Sequence, residues 1–108
     1  MSVVDFIVVL VTAKDRAEAE KISQALLEKK LIACANIVSP VMSCFLWQGK
    51  IDQAEEYLLV MKSRMDLFAE LLQQVKLLHS YEVPEVLALP IALGSTDYLA
   101  WMQSVLKA

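Results

Sequence analysis

The chain has 108 residues, 57% hydrophobic and 21% charged, with a net charge of −3. That length suits one domain, residues 1–108, and the acidic balance without any basic stripe argues against a nucleic-acid partner. Two cysteines make no disulfide framework, and 2 Gly and 3 Pro leave no low-complexity segment or long linker.

A mean hydropathy of +0.50 is high for so small a chain, which has little interior to hide apolar side chains. Some apolar surface is therefore expected to be buried against another copy. The apolar runs at 6–11 and 86–89 fall far short of the ~20 residues of a membrane-spanning helix. Met1-Ser2-Val3-Val4-Asp5 lacks the basic start of a secretory signal. A soluble cytoplasmic protein, with no membrane partner, is the expectation.

Residues 3–11 are almost continuously apolar and valine-rich. They read as a strand buried on both faces. Thr12-Ala13-Lys14 reads as a turn, and Asp15 with Glu18 as a capping-box-like helix start. Ala19, Ile22 and Leu26 form the apolar stripe of that helix, and Lys29-Lys30 suit its negative end. Residues 32–47 return to strand character, with Pro40 marking an edge, a bulge or a bend. Gln48-Gly49 is the turn of a long hairpin whose return strand covers 51–64.

Asp66 is expected to cap a second helix, with Leu67, Leu71, Val75 and Leu78 as its stripe. The connector that follows, His79-Ser80-Tyr81-Glu82-Val83-Pro84-Glu85, crowds a histidine, a phenol and two carboxylates against a proline that restricts the backbone. A fourth strand covers 86–91. Gly94-Ser95-Thr96-Asp97 opens a third helix, with Tyr98, Trp101, Met102 and Val105 as its expected buried face. The order β-α-β-β-α-β-α gives an α+β fold of the ferredoxin-like split β-α-β type, an antiparallel sheet with a C-terminal helix added.

Five motifs stand in register along the chain: Ala33-Cys34-Ala35-Asn36-Ile37, Trp47-Gln48-Gly49-Lys50-Ile51, His79-Ser80-Tyr81-Glu82-Val83-Pro84-Glu85, Ala88-Leu89-Pro90-Ile91 and Asp97-Tyr98-Leu99-Ala100-Trp101. Together they resemble the CutA family of divalent-cation tolerance proteins, from about residue 4 to residue 106. The resemblance implies a ferredoxin-like subunit in a tight trimer similar to the PII signalling proteins. It also implies a cytoplasmic location and a link to tolerance of copper and other divalent cations, with no established reaction. Two departures stand out. Ser80 occupies the place of a proline in the usual connector, and Val11 and Leu78 occupy places where copper-ligating members carry Cys and His.

The remaining metal-ligand types are His79 and Cys34, which would hold Cu(II) or another divalent cation only weakly. The plainer readings are a hydrogen-bonded histidine at a helix end and a thiol that packs as a small hydrophobe. Lys62, His79, Tyr81 and Glu82 are the expected lining of a cleft for a small ligand, set against a network that only fixes the loop. Trp47 and Trp101 are expected to anchor a homotrimer interface. No phosphate-cradling glycine loop, catalytic triad signature or two-histidine metal motif occurs, so no enzyme is expected. The rival reading is a PII-like module that holds a small metabolite in intersubunit clefts.

Overall fold

The computed structural model describes residues 5–108, so residues 3 and 4 of the expected first strand lie outside the described residues. Strand β1 (Phe6–Ala13) leads to helix α1 (Arg16–Glu28), then to β2 (Cys34–Trp47) and β3 (Lys50–Arg64). A 3-10 turn at Met65–Leu67 precedes α2 (Phe68–Leu78), and β4 (Val86–Pro90) and α3 (Thr96–Val105) complete the order. The sheet runs β2-β3-β1-β4 with every neighbour antiparallel. This is the α+β, ferredoxin-like arrangement expected from the element order.

The strand alternation decides where the core lies. Ile7, Val9, Val11 and Ala13 are buried, while Phe6, Val8, Leu10 and Thr12 are only partly covered. The expectation of two buried faces is thus corrected: α1 and α2 cover one face and leave most of the other to the strands. Successive side chains of a strand point to opposite faces, so a single helical layer buries every second residue. Ile22, Leu26, Leu59, Met61, Leu71 and Val75 close the core on that side. The expected turn at 12–14 also shifts, because Ala13 still pairs with Tyr57.

The opposite face carries Val8, Leu10, Leu58, Val60, Leu87 and Leu89 side by side, as the register requires. Leu87 and Leu89 remain 56% and 50% exposed.

Asp15 caps α1 as the sequence suggests, its carboxylate accepting from the Glu18 N–H at 2.8 Å. Gln48 and Gly49 both have positive φ, 50° and 78°, which makes the two-residue turn of the I′ type that matches strand twist. The β2–β3 register shifts between Val38 and Val41, around the cis Ser39-Pro40 peptide, on an edge strand. Proline removes a ladder donor, so an edge bulge is where it is tolerated. β1 pairs with β3 only from Tyr57 to Arg64. Residues 41–47 and 50–56 therefore extend beyond β1 as a two-stranded ribbon, tipped by exposed Leu46, Trp47 and Ile51.

Two local expectations are overturned. Asp66 does not cap α2; the capping position is Leu67, which makes no side-chain bond. Asp66 instead accepts from Arg64 at 2.8 and 3.3 Å, and this pair holds its carboxyl below the usual carboxylate range. A doubled, charge-assisted bond outcompetes a neutral N–H cap. The buried face of α3 is also narrower than expected. Met102 is fully buried and Val105 partly, but Tyr98 and Trp101 are both 43% exposed. The helix end is held instead by Arg64, which donates to Gln103 and to the Lys107 carbonyl, and by Lys107 N–H on the Lys30 carbonyl.

Met102 is accordingly the core anchor of α3. Met102→Ala is expected to cost about 2–5 kcal/mol in urea unfolding followed by circular dichroism. A loss under about 0.5 kcal/mol would show that the helix is held by its polar ties alone.

Candidate functional site

The connector between α2 and β4 is fixed by its histidine. His79 ends α2 with an extended backbone, its N–H still bonded to the Val75 carbonyl at 2.9 Å. Its imidazole is completely enclosed. Nε2 lies 2.7 Å from the Thr12 carbonyl, and Nδ1 receives the Tyr81 N–H at 3.0 Å. A carbonyl can only accept and an N–H can only donate, so these partners assign the proton to Nε2.

Glu18 completes this brace from α1. Its carboxylate accepts from the Ser80 N–H at 2.5 Å and the Lys14 N–H at 3.1 Å, and sits 3.5 Å from His79 Nδ1. Burial works against its charge, but the Ser80 and Lys14 N–H groups and the Ser80 side chain outweigh it and hold the carboxyl below the ordinary range.

The Tyr81 ring packs on His79 at a centroid distance of 4.8 Å. Its hydroxyl donates to Glu56 Oε2 at 2.8 Å. Burial, then the Glu56 hydrogen bond and charge, push the phenol up to about 12, with Glu18 and Asp15 adding to the effect. Tyr81 therefore remains a protonated donor throughout the physiological range. Glu56 is only 7% exposed although it lies where β3 leaves the sheet. Between the connector and the ribbon is a cavity of about 500 Å³, lined among others by Thr12, Phe45, Trp47, Glu56, Tyr81 and Glu85.

A second polar cluster occupies the same sheet face at the start of β2. The register places Cys34 opposite Lys62. The Lys62 ammonium donates to Asn36 Oδ1 and lies 3.9 Å from Cys34 Sγ. Burial, with the adjacent Cys34, raises the Tyr98 phenol.

The structure thus sorts the sequence candidates into two groups. His79 and Tyr81 meet at the cavity, with His79 behind its wall. Lys62 does not join them within the chain, because its cross-strand partner draws it to Cys34 and Asn36. Glu82 is exposed on the connector and its side chain makes no hydrogen bond among the described residues. Cys34 and His79 belong to different clusters, and no group of three or more His, Cys, Asp or Glu able to hold a metal occurs among the described residues. Val11 is buried in the core and Leu78 packs against it. Trp47 and Trp101 both lie at the surface of the single chain. Glu56 and Thr12 were not singled out from sequence. A lone glutamate in a strand carries no spacing signal, and a backbone carbonyl none at all.

Glu18 gives a pH test of the brace. Its carboxyl is depressed in the folded state, so its contribution is complete above the ordinary carboxylate range and is lost as pH falls through its folded value. Glu18→Gln is expected to lower stability by about 1–3 kcal/mol at neutral pH and to flatten the acid limb below about pH 4.5, read from urea midpoints against pH. An acid limb identical in the variant would show that Glu18 carries no linked stability.

Comparison with known proteins supplies the last observation. The family model described as CutA1 divalent ion tolerance protein matches residues 7–105. The divalent-cation tolerance protein CutA of Thermus thermophilus is 44% identical over 96 residues, 89% of this chain and 93% of that protein. Among solved structures, CutA1 from Oryza sativa superimposes with a TM-score of 0.94 at 38% identity, covering 96% of this chain and 95% of the other. The periplasmic divalent cation tolerance protein CutA from Archaeoglobus fulgidus gives 0.91 at 41% identity, covering 94% and 99%.

Proposed function

Because the chain belongs to the CutA1 divalent ion tolerance protein family, we propose that it serves divalent-cation tolerance as a non-catalytic, weakly cation-binding homotrimer of the cytoplasm. The observation that carries this reading is Glu56. It is a buried carboxylate at a cavity wall, with the Tyr81 hydroxyl as its one hydrogen-bond partner among the described residues. That leaves its second carboxylate oxygen without a protein partner among the described residues, and a cation in the cavity would supply one.

Glu56 and Glu85 would hold a hydrated divalent cation, Cu(II) among them, through water. Such outer contacts give low affinity compared with a dedicated cage of direct ligands. His79 supports a binding role over catalysis: backbone groups engage both ring nitrogens, which removes it as a free base. The free thiols Cys34 and Cys44 support a reducing compartment, although the relative from Archaeoglobus fulgidus is described as periplasmic.

The trimer reading rests on unmatched surface. One sheet face presents Val8, Leu10, Leu58, Val60, Leu87 and Leu89, and the ribbon has strand edges beyond β1. Open edges and apolar faces of this kind are covered when copies close into a ring. Trp47 and Trp101 are suited to anchor those contacts, each being large, aromatic and partly exposed.

Light scattering coupled to size exclusion is expected to give about three times the 12.1 kDa chain mass; a monomer at micromolar concentration would refute the assembly. Calorimetric titration with Cu(II) is expected to give a Kd on the order of 0.1–1 mM that weakens in Glu56→Gln. A submicromolar site abolished by His79→Ala would contradict the placement.

A further inference from the structure

The cavity beside Glu56 has walls that a hydrated metal ion alone does not use. Phe45, Trp47 and Tyr81 contribute three aromatic side chains, and Val83 adds apolar surface. Glu56 and Glu85 supply carboxylates, and among the described residues of the single chain no lysine, arginine or histidine lines the space. Its volume of about 500 Å³ lies within the range of small-molecule sites.

Two features narrow the chemistry of an occupant. First, anions are disfavoured, because the two ionisable carboxyl groups at the wall would repel them and no positive side chain answers them. Tyr81, held protonated, is committed as a donor to Glu56, which leaves the carboxylate's second oxygen as an acceptor. Second, direct coordination of a bare divalent ion needs several converging ligands, and no such group of three occurs among the described residues. An ammonium ion needs less. One carboxylate and an aromatic face suffice, since the ring quadrupole attracts a cation and its alkyl substituents bury against the same ring.

We propose that this cavity binds a small organic ammonium ion, with its charged head between Glu56 and the faces of Trp47 and Phe45 and its N-alkyl groups against those rings. The ribbon supplies the aromatic wall and the base of the ribbon supplies the carboxylate. The His79-braced connector supplies Tyr81, which orients that carboxylate. The inference rests on the reading of this cavity as a cation site and names the class of cation that its walls select.

Choline is the probe, titrated calorimetrically into the full-length protein at neutral pH, with succinate as the anionic control and Mn(II) as a separate titrant. Choline is expected to bind with a Kd below about 1 mM and succinate not to bind. Glu56→Gln keeps the shape and removes the charge, and is expected to weaken choline about tenfold or more. Trp47→Leu is expected to do the same, and light scattering of each variant ensures that assembly is unchanged. Should Trp47→Leu fail to assemble, Phe45→Leu tests the same wall.

Silence of choline up to about 10 mM would overturn the inference, as would affinity unchanged in both variants. If Mn(II) binds and choline does not, the organic-cation inference falls while the divalent-cation reading stands. If neither binds, both fall.

Discussion

The imidazole of His79 holds together three parts of the chain that are far apart in sequence. Its Nε2–H bonds the Thr12 carbonyl at the end of β1, its Nδ1 takes the Tyr81 N–H of the connector, and Glu18 of α1 bonds the next backbone N–H at Ser80. Each neutral hydrogen bond contributes about 0.5–1.5 kcal/mol net, but leaving a buried partner unmatched costs about 1–3 kcal/mol. The ring therefore acts less as a source of stability than as a constraint: a different course of the connector would have to leave some of these buried groups unmatched or find them new partners. Tyr81 follows directly from the residues so held, and its hydroxyl reaches Glu56.

The same constraint gives the ribbon a function beyond its length. A two-stranded ribbon in isolation is marginal in water. At its base the hydrogen bond from Tyr81 to Glu56 ties it to the connector, and its free end carries apolar side chains that single-chain packing leaves exposed. The molecule thus has a braced half, built on α1, α2 and the connector, and an open half, made of the second sheet face and the ribbon. The cavity lies where the two halves meet. A cation there and further copies on the open face would stabilise different parts of the same surface, and mass action would make each raise the apparent stability of the fold.

Much of the architecture was legible in the sequence, because its signals are local. Asp15 and Glu18 announced α1, Gln48-Gly49 announced the I′ turn, and Pro40 marked the bulge on an edge strand. The element order was enough to give the sheet topology. Asp66 misled, because a cap signal cannot show that Arg64, two residues earlier, offers the carboxylate a stronger partner. Tyr98 and Trp101 misled for a related reason, since helical spacing gives a face but not how much of it the core covers. The site was legible as a place and not as a set of contacts. Tyr81 and His79 stood out in the connector. Glu56 depends on the strand register across the Val38/Val41 shift, and Lys62 was drawn to Cys34 by that same register. Cross-strand neighbours of this kind follow from pairing, which no window of sequence shows.

His79 is the chain's only histidine, so its ring can be observed without ambiguity. Nitrogen-15 NMR of the histidine-labelled protein at neutral pH reports which ring nitrogen carries the proton. The brace requires a protonated Nε2 and an unprotonated, hydrogen-bonded Nδ1, with the Nε2 proton protected from solvent exchange. A ring protonated at Nδ1 alone, or a solvent-exchanging imidazole averaging between tautomers, would contradict the brace on which the cleft depends.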